Sequence, residues 1–154
     1  MKKLLQPTVH LGTDHAGLEL KNAVKDTLVR RGYHVHDHGA FEETSSDYPD
    51  FIIPAAEAVA AAKGRAVGIV FGGSGIGECI AANKVRGVRA ALVYDRYTAK
   101  MSREHNDANV LCLGSRTATK KKSLALILLW LTTKFSGDAR HVRRLRKISK
   151  YEKK

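Results

Sequence analysis

The sequence predicts an α/β protein, a Rossmann-like three-layer αβα sandwich with a five-stranded parallel sheet. Short apolar segments and longer helical segments alternate five times along the chain, which is the pattern of parallel strands covered on both faces by helices. A length of 154 residues suits one compact domain and is too short for two ordinary ones. We therefore expect a single domain over residues 1–154, with a basic C-terminal helix from about residue 138.

Four of the predicted strands are short, partly β-branched apolar runs bounded by glycine or polar residues, as strands buried on both faces are. These runs lie at residues 9–11, 67–71, 90–93 and 110–113. A further strand is expected around residues 33–37, after the first helix.

The helices are predicted from apolar periodicity and from residues that begin or end helices. Leu20, Val24 and Leu28 recur at a spacing of four and Gly32 follows as a stop, so residues 16–31 should form an amphipathic helix. Proline at a helix start and aspartate at an N-cap mark two of the later helices. The later helices are expected at residues 50–63 after Pro49, 77–85, from the N-cap Asp95 to about 104, 117–134 and 138–151.

The net charge of +12 is concentrated near the C-terminus. Residues 140–154 contain eight Lys or Arg and one Glu, and so contribute +7 of that charge. A basic terminal helix is typical of a solvated surface, and binding of an anionic substrate is the next explanation. Nucleic acid is not an expected partner, because no aromatic-rich or helix-turn-helix pattern accompanies the charge.

The apolar residues argue against a membrane protein and against export. The dense apolar run at residues 124–131 is far shorter than the roughly 20 residues that a bilayer span needs. Polar residues and a proline at positions 6–10 interrupt any signal-peptide core after the basic start. Cys79 and Cys112 have no CxxC spacing, so we expect reduced thiols in a soluble, cytoplasmic protein.

A glycine-rich loop, Gly72-Gly73-Ser74-Gly75-Ile76-Gly77, follows the third predicted strand and leads into a helix. Ligands of such folds gather at the carboxyl ends of the strands, where the N–H groups of this loop can converge on an anion. Glycines here can also serve packing alone, and the loop lacks the lysine of a nucleotide P-loop. The loop is therefore a candidate anion cradle.

Several titratable side chains stand near the ends of predicted elements. Glu78, in the first turn after the loop, can be a helix-terminal charge or a base against a substrate C–H. Asp14 and His15 end the first strand on the same rim, and Asp14 is also a candidate N-cap. His105 and Asn106 stand at another element end, where they could contact a polyol phosphate.

The run His34-Val35-His36-Asp37-His38 places three imidazoles on one face of a strand, a spacing that zinc can use. The same spacing is expected on the polar face of a strand near the sheet edge, so we predict no metal here. No cofactor is expected either. Cys79 beside Glu78 lacks a supporting histidine, and we expect it to pack in the core rather than act as a nucleophile.

Six segments occur in an order and spacing that is highly specific. They read GTDHAG at 12–17, DYP at 47–49, FGGSGIGE at 71–78, AANK at 81–84, SREHNDANV at 102–110 and LGSR at 113–116. Together they resemble the ribose-5-phosphate isomerase B and galactose-6-phosphate isomerase family over about residues 8–145. The resemblance implies a metal-free isomerase of aldose and ketose phosphates that forms a homodimer, or a dimer of dimers, with active sites between subunits.

Family members use either a cysteine or a glutamate as the base. Gly72 stands where the cysteine branch carries its thiol and Glu78 where the other branch carries its carboxylate, so the resemblance is to the glutamate branch. It implies that Glu78 moves a proton between C1 and C2 and that Ser74 hydrogen-bonds the reacting oxygens. The enediolate would be held by backbone amides of Gly73, Gly75, Ile76 and Gly77.

The resemblance also assigns the remaining substrate contacts. Asp14 and His105 match residues that assist ring opening, and Asn106 matches a contact to the sugar oxygens. The phosphate positions match His15, Arg116, Arg140 and Arg144. Arg140 and Arg144 lie four apart on the predicted last helix, and this shared face independently suits one anion.

The leading expectation is interconversion of ribose 5-phosphate and ribulose 5-phosphate. Isomerisation of a six-carbon sugar phosphate, such as allose 6-phosphate or galactose 6-phosphate, stays open because the sequence does not reveal the depth of the pocket. A third hypothesis, of a different class, is a non-catalytic basic module that binds nucleic acid through its tail. The intact set of Glu78, Ser74 and Asp14 argues against it.

Overall fold

A computed structural model describes residues 6–154 and contains one five-stranded, fully parallel sheet. The strands are β1 (Thr8–Thr13), β2 (Val35–Asp37), β3 (Ala66–Gly72), β4 (Ala90–Leu92) and β5 (Val110–Gly114). They lie in the order β2-β1-β3-β5-β4. The predicted fold class is confirmed, and each predicted strand is present with ends that differ by up to two residues.

The helices follow the predicted order. They are α1 (Leu18–Arg30), α2 (Pro49–Ala61), α3 (Ile76–Ala82), α4 (Arg96–Glu104), α5 (Lys120–Thr132) and α6 (Ala139–Tyr151). Helix α5 begins three residues later than predicted, because the Thr119 hydroxyl accepts the Lys122 N–H at 3.2 Å and caps it there. Within residues 6–154, no helix has the length and apolar character needed to cross a membrane.

Helix α3 ends at Ala82, three residues before the predicted end. The cause is the side chain of Asn83, whose amide bonds both the N–H and the carbonyl of Ala90 at 2.9 Å. These two bonds join the end of α3 to the start of β4, so the chain turns toward the sheet instead of continuing as a helix.

Apolar side chains pack on both faces of the sheet. On β3, Ile69 and Phe71 lie in a cluster with Trp130 of α5, whereas Val70 packs on the opposite face with Ile52 of α2. Successive strand side chains point to opposite faces, so a central strand between two helical layers must be apolar at every position. This is why β3 reads as a continuous buried run.

The order of the strands creates a crevice between β1 and β3. From β1 the chain crosses to β2 on one side, and from β3 it crosses to β4 on the other. Such a switch point leaves the carboxyl ends of the two central strands uncovered by a connection. Thr13, the last residue of β1, pairs with Phe71, one residue before the end of β3. The segments that follow Thr13 and Gly72 therefore face the same opening.

Four histidines lie together on β1 and β2 and the residues beside them. His10 is in register with His36 and stacks on it at 5.1 Å, while its Nδ1 lies 2.9 Å from Nε2 of His38. The rings of His34 and His36 are 4.8 Å apart. Among the described residues, no three His, Cys, Asp or Glu side chains are grouped so that they could hold a metal ion. The imidazoles contact one another instead.

This cluster should make the protein less stable in acid. Burial, followed by the charges of His38, His36 and His34, lowers the pKa of His10 from 6.5 to about 4. Between these values the unfolded chain binds a proton that the native chain does not, so the free energy of unfolding should decline as pH falls through this window. Above about pH 6.5 the contribution of His10 is complete and constant.

The measurement is the urea midpoint from about pH 7 to about pH 4 for the wild type and His10→Gln. The variant should lose less stability over this range, since the carboxylates titrate equally in both proteins. Equal losses would show that His10 does not carry this dependence.

Candidate active site

An open cavity of about 460 Å³ lies at the carboxyl ends of β1 and β3. It is lined by Asp14, His15, Ala16, Tyr48, Gly73, Ser74, Gly77, Glu78, Arg116 and Thr117. Seven of these were singled out in the sequence, and they come from segments that follow β1, β3 and β5. The cavity therefore gathers the candidate base, the glycine loop and one candidate phosphate ligand at a single place.

The glycine loop is shaped by a left-handed residue and by bonds to the segment after β5. Gly75 has φ of 81°, and a Cβ there would lie 2.8 Å from the carbonyl carbon of Leu113. The carbonyls of Gly72 and Gly73 accept N–H groups of Ser115 and Arg116 at 2.8 and 3.0 Å. These contacts hold the loop close to β5, with room for no side chain at position 75.

Ser74 points its hydroxyl at the start of α3. Its Oγ accepts the N–H of Ile76 at 3.2 Å. A hydroxyl oxygen that accepts one bond can still donate its own proton. Ser74 can therefore donate to an oxygen of a molecule in the cavity.

Glu78 lies under the loop and is only 4% exposed. Its carboxylate occupies the space that a side chain at Gly72 would need, because a Cβ built at Gly72 would overlap both carboxylate oxygens. The absence of a side chain at the end of β3 thus makes room for the carboxylate delivered from the first turn of α3.

The environment of Glu78 favours its neutral form more than water does. Burial, with a smaller effect from the charge of Asp14, raises its pKa above the ordinary value, against the opposing effect of a bond from its own backbone N–H. A carboxylate with a raised pKa is a stronger base once ionised. Glu78 is therefore suited to removing a proton from carbon.

Asp14 and Arg116 bring opposite charges to the cavity. The Asp14 carboxylate is 8% exposed and accepts the N–H groups of Ala16 and Gly17 at 2.9 and 3.3 Å, so its predicted capping role is present. Arg116 lies beside the loop, since a Cβ at Gly73 would be 3.2 Å from its Nη1. A guanidinium at this position can pair with an anionic group of a ligand.

A second group of candidate residues lies outside this cavity. The rings of His105 and His141 stack at 4.2 Å, which joins the end of α4 to α6. His105, Asn106, Arg140 and Arg144 do not line the cavity of Glu78 in this chain. The structure thus separates the predicted site residues into two groups.

The sequence did not single out three of the residues that line the cavity, Ala16, Tyr48 and Thr117, nor His141 on α6. Tyr48, which lines the cavity and lies against Gly77, belongs to the segment DYP whose pattern carried the only signal for it. His141 is 4% exposed, and its Nε2 has no hydrogen-bond partner among residues 6–154. In the sequence it is one residue of the basic last helix, between Arg140 and Val142, and carries no signal of its own.

Cys79 does not line the cavity although it follows Glu78 in sequence. Its thiol donates to the carbonyl of Ala90 at 3.6 Å, and its side chain packs against the core that contains Cys112. Helix geometry sends neighbouring side chains in directions about 100° apart, so only one of the two residues can face the cavity.

The arrangement can move a proton next to a carbonyl. A poised carboxylate lies beside backbone N–H groups and a hydroxyl that can hold the oxygen on which negative charge develops. The cationic side chain of Arg116 can hold an anionic substituent of the same molecule.

Comparisons with known proteins agree with this geometry. The family model described as Ribose/Galactose Isomerase matches residues 9–148. Ribose-5-phosphate isomerase B of Mycobacterium tuberculosis is 44% identical over 146 residues, which are 94% of this chain and 90% of that protein. The structure of ribose-5-phosphate isomerase B of Clostridium thermocellum has a TM-score of 0.91 and 46% identity, over 95% of this chain and 97% of that one. That of Mycoplasma genitalium, with bound ribulose-5-phosphate, has a TM-score of 0.93 and 39% identity, over 97% and 99%.

Proposed function

The chain belongs to the ribose/galactose isomerase family, and we propose that it interconverts ribose 5-phosphate and ribulose 5-phosphate through an enediolate. The observation that carries the proposal is the buried Glu78 carboxylate, with its raised pKa, beside the glycine loop. Relatives named ribose-5-phosphate isomerase B, and a related structure with bound ribulose-5-phosphate, support this choice of substrate.

In the proposed reaction, Glu78 takes the C2 proton of the open-chain aldose phosphate. The electron pair of that C–H bond forms the C1–C2 double bond, and the carbonyl π electrons move to O1. The charge on oxygen is stabilised by the Ser74 hydroxyl and the loop amides. The O2 hydroxyl then gives up its proton while O1 gains one, and Glu78 returns its own proton to C1 as the carbonyl forms at C2. The product is the ketose phosphate, without any net redox change.

Ring opening must precede this step, because the aldose phosphate is mostly cyclic in water. We assign it to Asp14 and His105, with Asn106 holding the sugar oxygens. Asp14 supports this role by its place in the cavity beside Glu78. His105 and Asn106 do not line the cavity of Glu78 in their own chain, so they would have to contact a substrate bound to another copy.

We propose that a second copy of the chain completes the site, as a homodimer or a dimer of dimers. Arg140 and Arg144 would then bind the phosphate with His15 and Arg116, although the first two do not line this cavity in one chain. Ile76 and Ile80, one turn apart on α3, are 54% and 56% exposed, which favours contact with another copy.

The proposed function is tested by comparing kcat/KM for ribose 5-phosphate, allose 6-phosphate and galactose 6-phosphate. We expect ribose 5-phosphate to be preferred and the activity to persist in EDTA. A preference for a six-carbon substrate would show that the chain is an isomerase of six-carbon sugar phosphates instead. No activity on any of the three substrates would contradict both functions. No retention on RNA at low salt is expected, which separates the enzyme from a basic nucleic-acid-binding module.

We also propose that residues 1–154 act as one catalytic domain and that the protein works in the cytoplasm. Both cysteines are free thiols, with Cys112 buried and Cys79 half-buried. Thiols that persist unpaired are typical of a reducing compartment.

Arg140→Ala and Arg144→Ala should chiefly weaken substrate binding. Each removes a charge-assisted contact to the phosphate, typically worth about 1.5 to 3 kcal/mol, so KM should rise about 10-fold or more. Steady-state kinetics on each variant provide the measurement. Lys150→Ala, Lys153→Ala and Lys154→Ala are matched controls that should change KM little, and equal effects from these lysines would argue against a specific phosphate site.

Mixing inactive and weak-binding variants tests whether Arg144 acts across the dimer. If it does, a hybrid of Glu78→Gln and Arg144→Ala subunits contains one site with both wild-type residues. Activity at low substrate should then exceed the sum of the two parents. No gain after subunit exchange would place both residues in the same chain's site.

A further inference from the structure

Ser46 and His15 form a reciprocal pair of hydrogen bonds at the edge of the cavity. The backbone N–H of His15 donates to the Ser46 hydroxyl at 3.2 Å, and the backbone N–H of Ser46 donates to Nδ1 of His15 at 3.2 Å. Both side chains are half-buried, and 31 positions separate them in sequence. His15 lines the cavity, whereas Ser46 does not and contacts His15 from outside the cavity.

The direction of the second bond determines the protonation of the ring. A backbone N–H can only donate, so Nδ1 of His15 must present its lone pair to Ser46. A neutral imidazole carries one proton, and with Nδ1 accepting, that proton must lie on Nε2. His15 can therefore donate a hydrogen bond through Nε2, the ring nitrogen that is not bonded to Ser46.

The segment that carries Ser46 is well anchored at its start. The fully buried Lys21 donates to Asp37 and to the carbonyl of Ala40, each at 2.7 Å. Thr13 exchanges two backbone bonds with Gly39 and Ala40, at 2.7 and 2.8 Å. After this anchor the chain runs through exposed residues 41–45, and Ser46 is the next residue with a hydrogen bond to another part of the described chain.

We propose that Ser46 is a positioning residue that holds His15 in the tautomer with its proton on Nε2, so that His15 donates to an oxygen of the sugar phosphate. The inference rests on the proposed function, since it takes a phosphorylated sugar as the acceptor. A donor held in place before binding loses little freedom when the substrate arrives, which favours affinity. The effect should therefore appear in KM more than in kcat.

Nitrogen NMR reads the tautomer without any activity assay. In the wild type at neutral pH, Nδ1 of His15 should have the chemical shift of an unprotonated ring nitrogen and Nε2 that of a protonated one. Ser46→Pro removes the backbone N–H that Nδ1 accepts, so the two nitrogens should move toward the averaged shifts of a mixture. A protonated Nδ1 in the wild type would overturn the proposal.

Kinetics on the same proteins supply the second readout. Ser46→Pro should raise KM for ribose 5-phosphate by about 2- to 10-fold, the cost of ordering one free side chain when the substrate binds, with kcat changed by less than about 2-fold. Ser46→Ala keeps the N–H and removes only the hydroxyl, so its KM should rise less. Ser46→Thr keeps both the N–H and the hydroxyl, so its KM should be nearly that of the wild type.

Ser45 offers a matched control, because it is the exposed neighbour in the same segment. Ser45→Pro and Ser45→Ala should leave the His15 nitrogen shifts and KM near wild type. Equal effects of proline at 45 and 46 would mean that the segment's conformation alone matters, and the proposal would fail. If the wild type had no isomerase activity, the proposed function would fail while the nitrogen shifts still decided the tautomer.

Discussion

Replacing Glu78 with glutamine should lower kcat by at least about 100-fold, the lower end of what a positioned acid or base contributes. Glutamine keeps the size of the side chain and its place beside Gly72, but an amide cannot take a proton from carbon. Substrate affinity should change little, because the loop and the proposed phosphate ligands remain. Exchange of the C2 proton with solvent, followed by NMR in deuterated water, should slow in parallel with turnover.

The raised pKa of Glu78 gives this prediction a second signature. A base must be ionised, so kcat/KM of the wild type should fall as pH is lowered, with its acid limb above the ordinary pKa of a glutamate, 4.5. In Glu78→Gln the residual activity should lose that limb.

Cys79→Ala is the matched control for Glu78→Gln. The Cys79 thiol donates a hydrogen bond to the Ala90 carbonyl and faces the core, so we expect the variant to remain active. Near-normal turnover of Glu78→Gln together with an inactive Cys79→Ala would identify a thiol base and refute the mechanism.

Gly72→Ala should be almost as damaging, although it adds only one methyl group. The new Cβ would overlap the carboxylate of Glu78, which is buried and has little space to retreat. Displacing a catalytic group by about 1 Å can cost about 100-fold in rate. We therefore expect a loss of kcat of that order, measured under saturating ribose 5-phosphate.

A double variant separates this explanation from general damage to the fold. If Gly72→Ala acts by moving the base, it should add little to the loss in Glu78→Gln, because the base is already absent. Full additivity of the two losses would point to distortion of the glycine loop instead. Gly73→Ala is a useful comparison, since the three atoms nearest to its Cβ would all belong to the Arg116 side chain, the closest being Nη1 at 3.2 Å, and none to Glu78.

The local features of the sequence predicted the fold and most of the cavity. Continuous apolar runs such as β3, and helix starts such as Asp95, report on neighbours a few residues away, so they can be read without the structure. The rule that ligands bind at the carboxyl ends of parallel strands then placed Asp14 and the glycine loop on one rim. Ends of elements were less predictable, because α3 ends where the side-chain amide of Asn83 bonds the backbone of Ala90, seven residues later and in the next strand.

The sequence by itself therefore determined the order of strands and helices, the candidate base Glu78 and the glycine loop beside it. Only the tertiary structure decided that the Glu78 carboxylate fills the space above Gly72, that Ser46 bonds His15, and that Arg144 lies outside this cavity. Each of these depends on where a side chain points after separate elements have packed. Packing distances between residues far apart in the chain leave no periodic signal in the sequence, whereas hydrophobic patterning does.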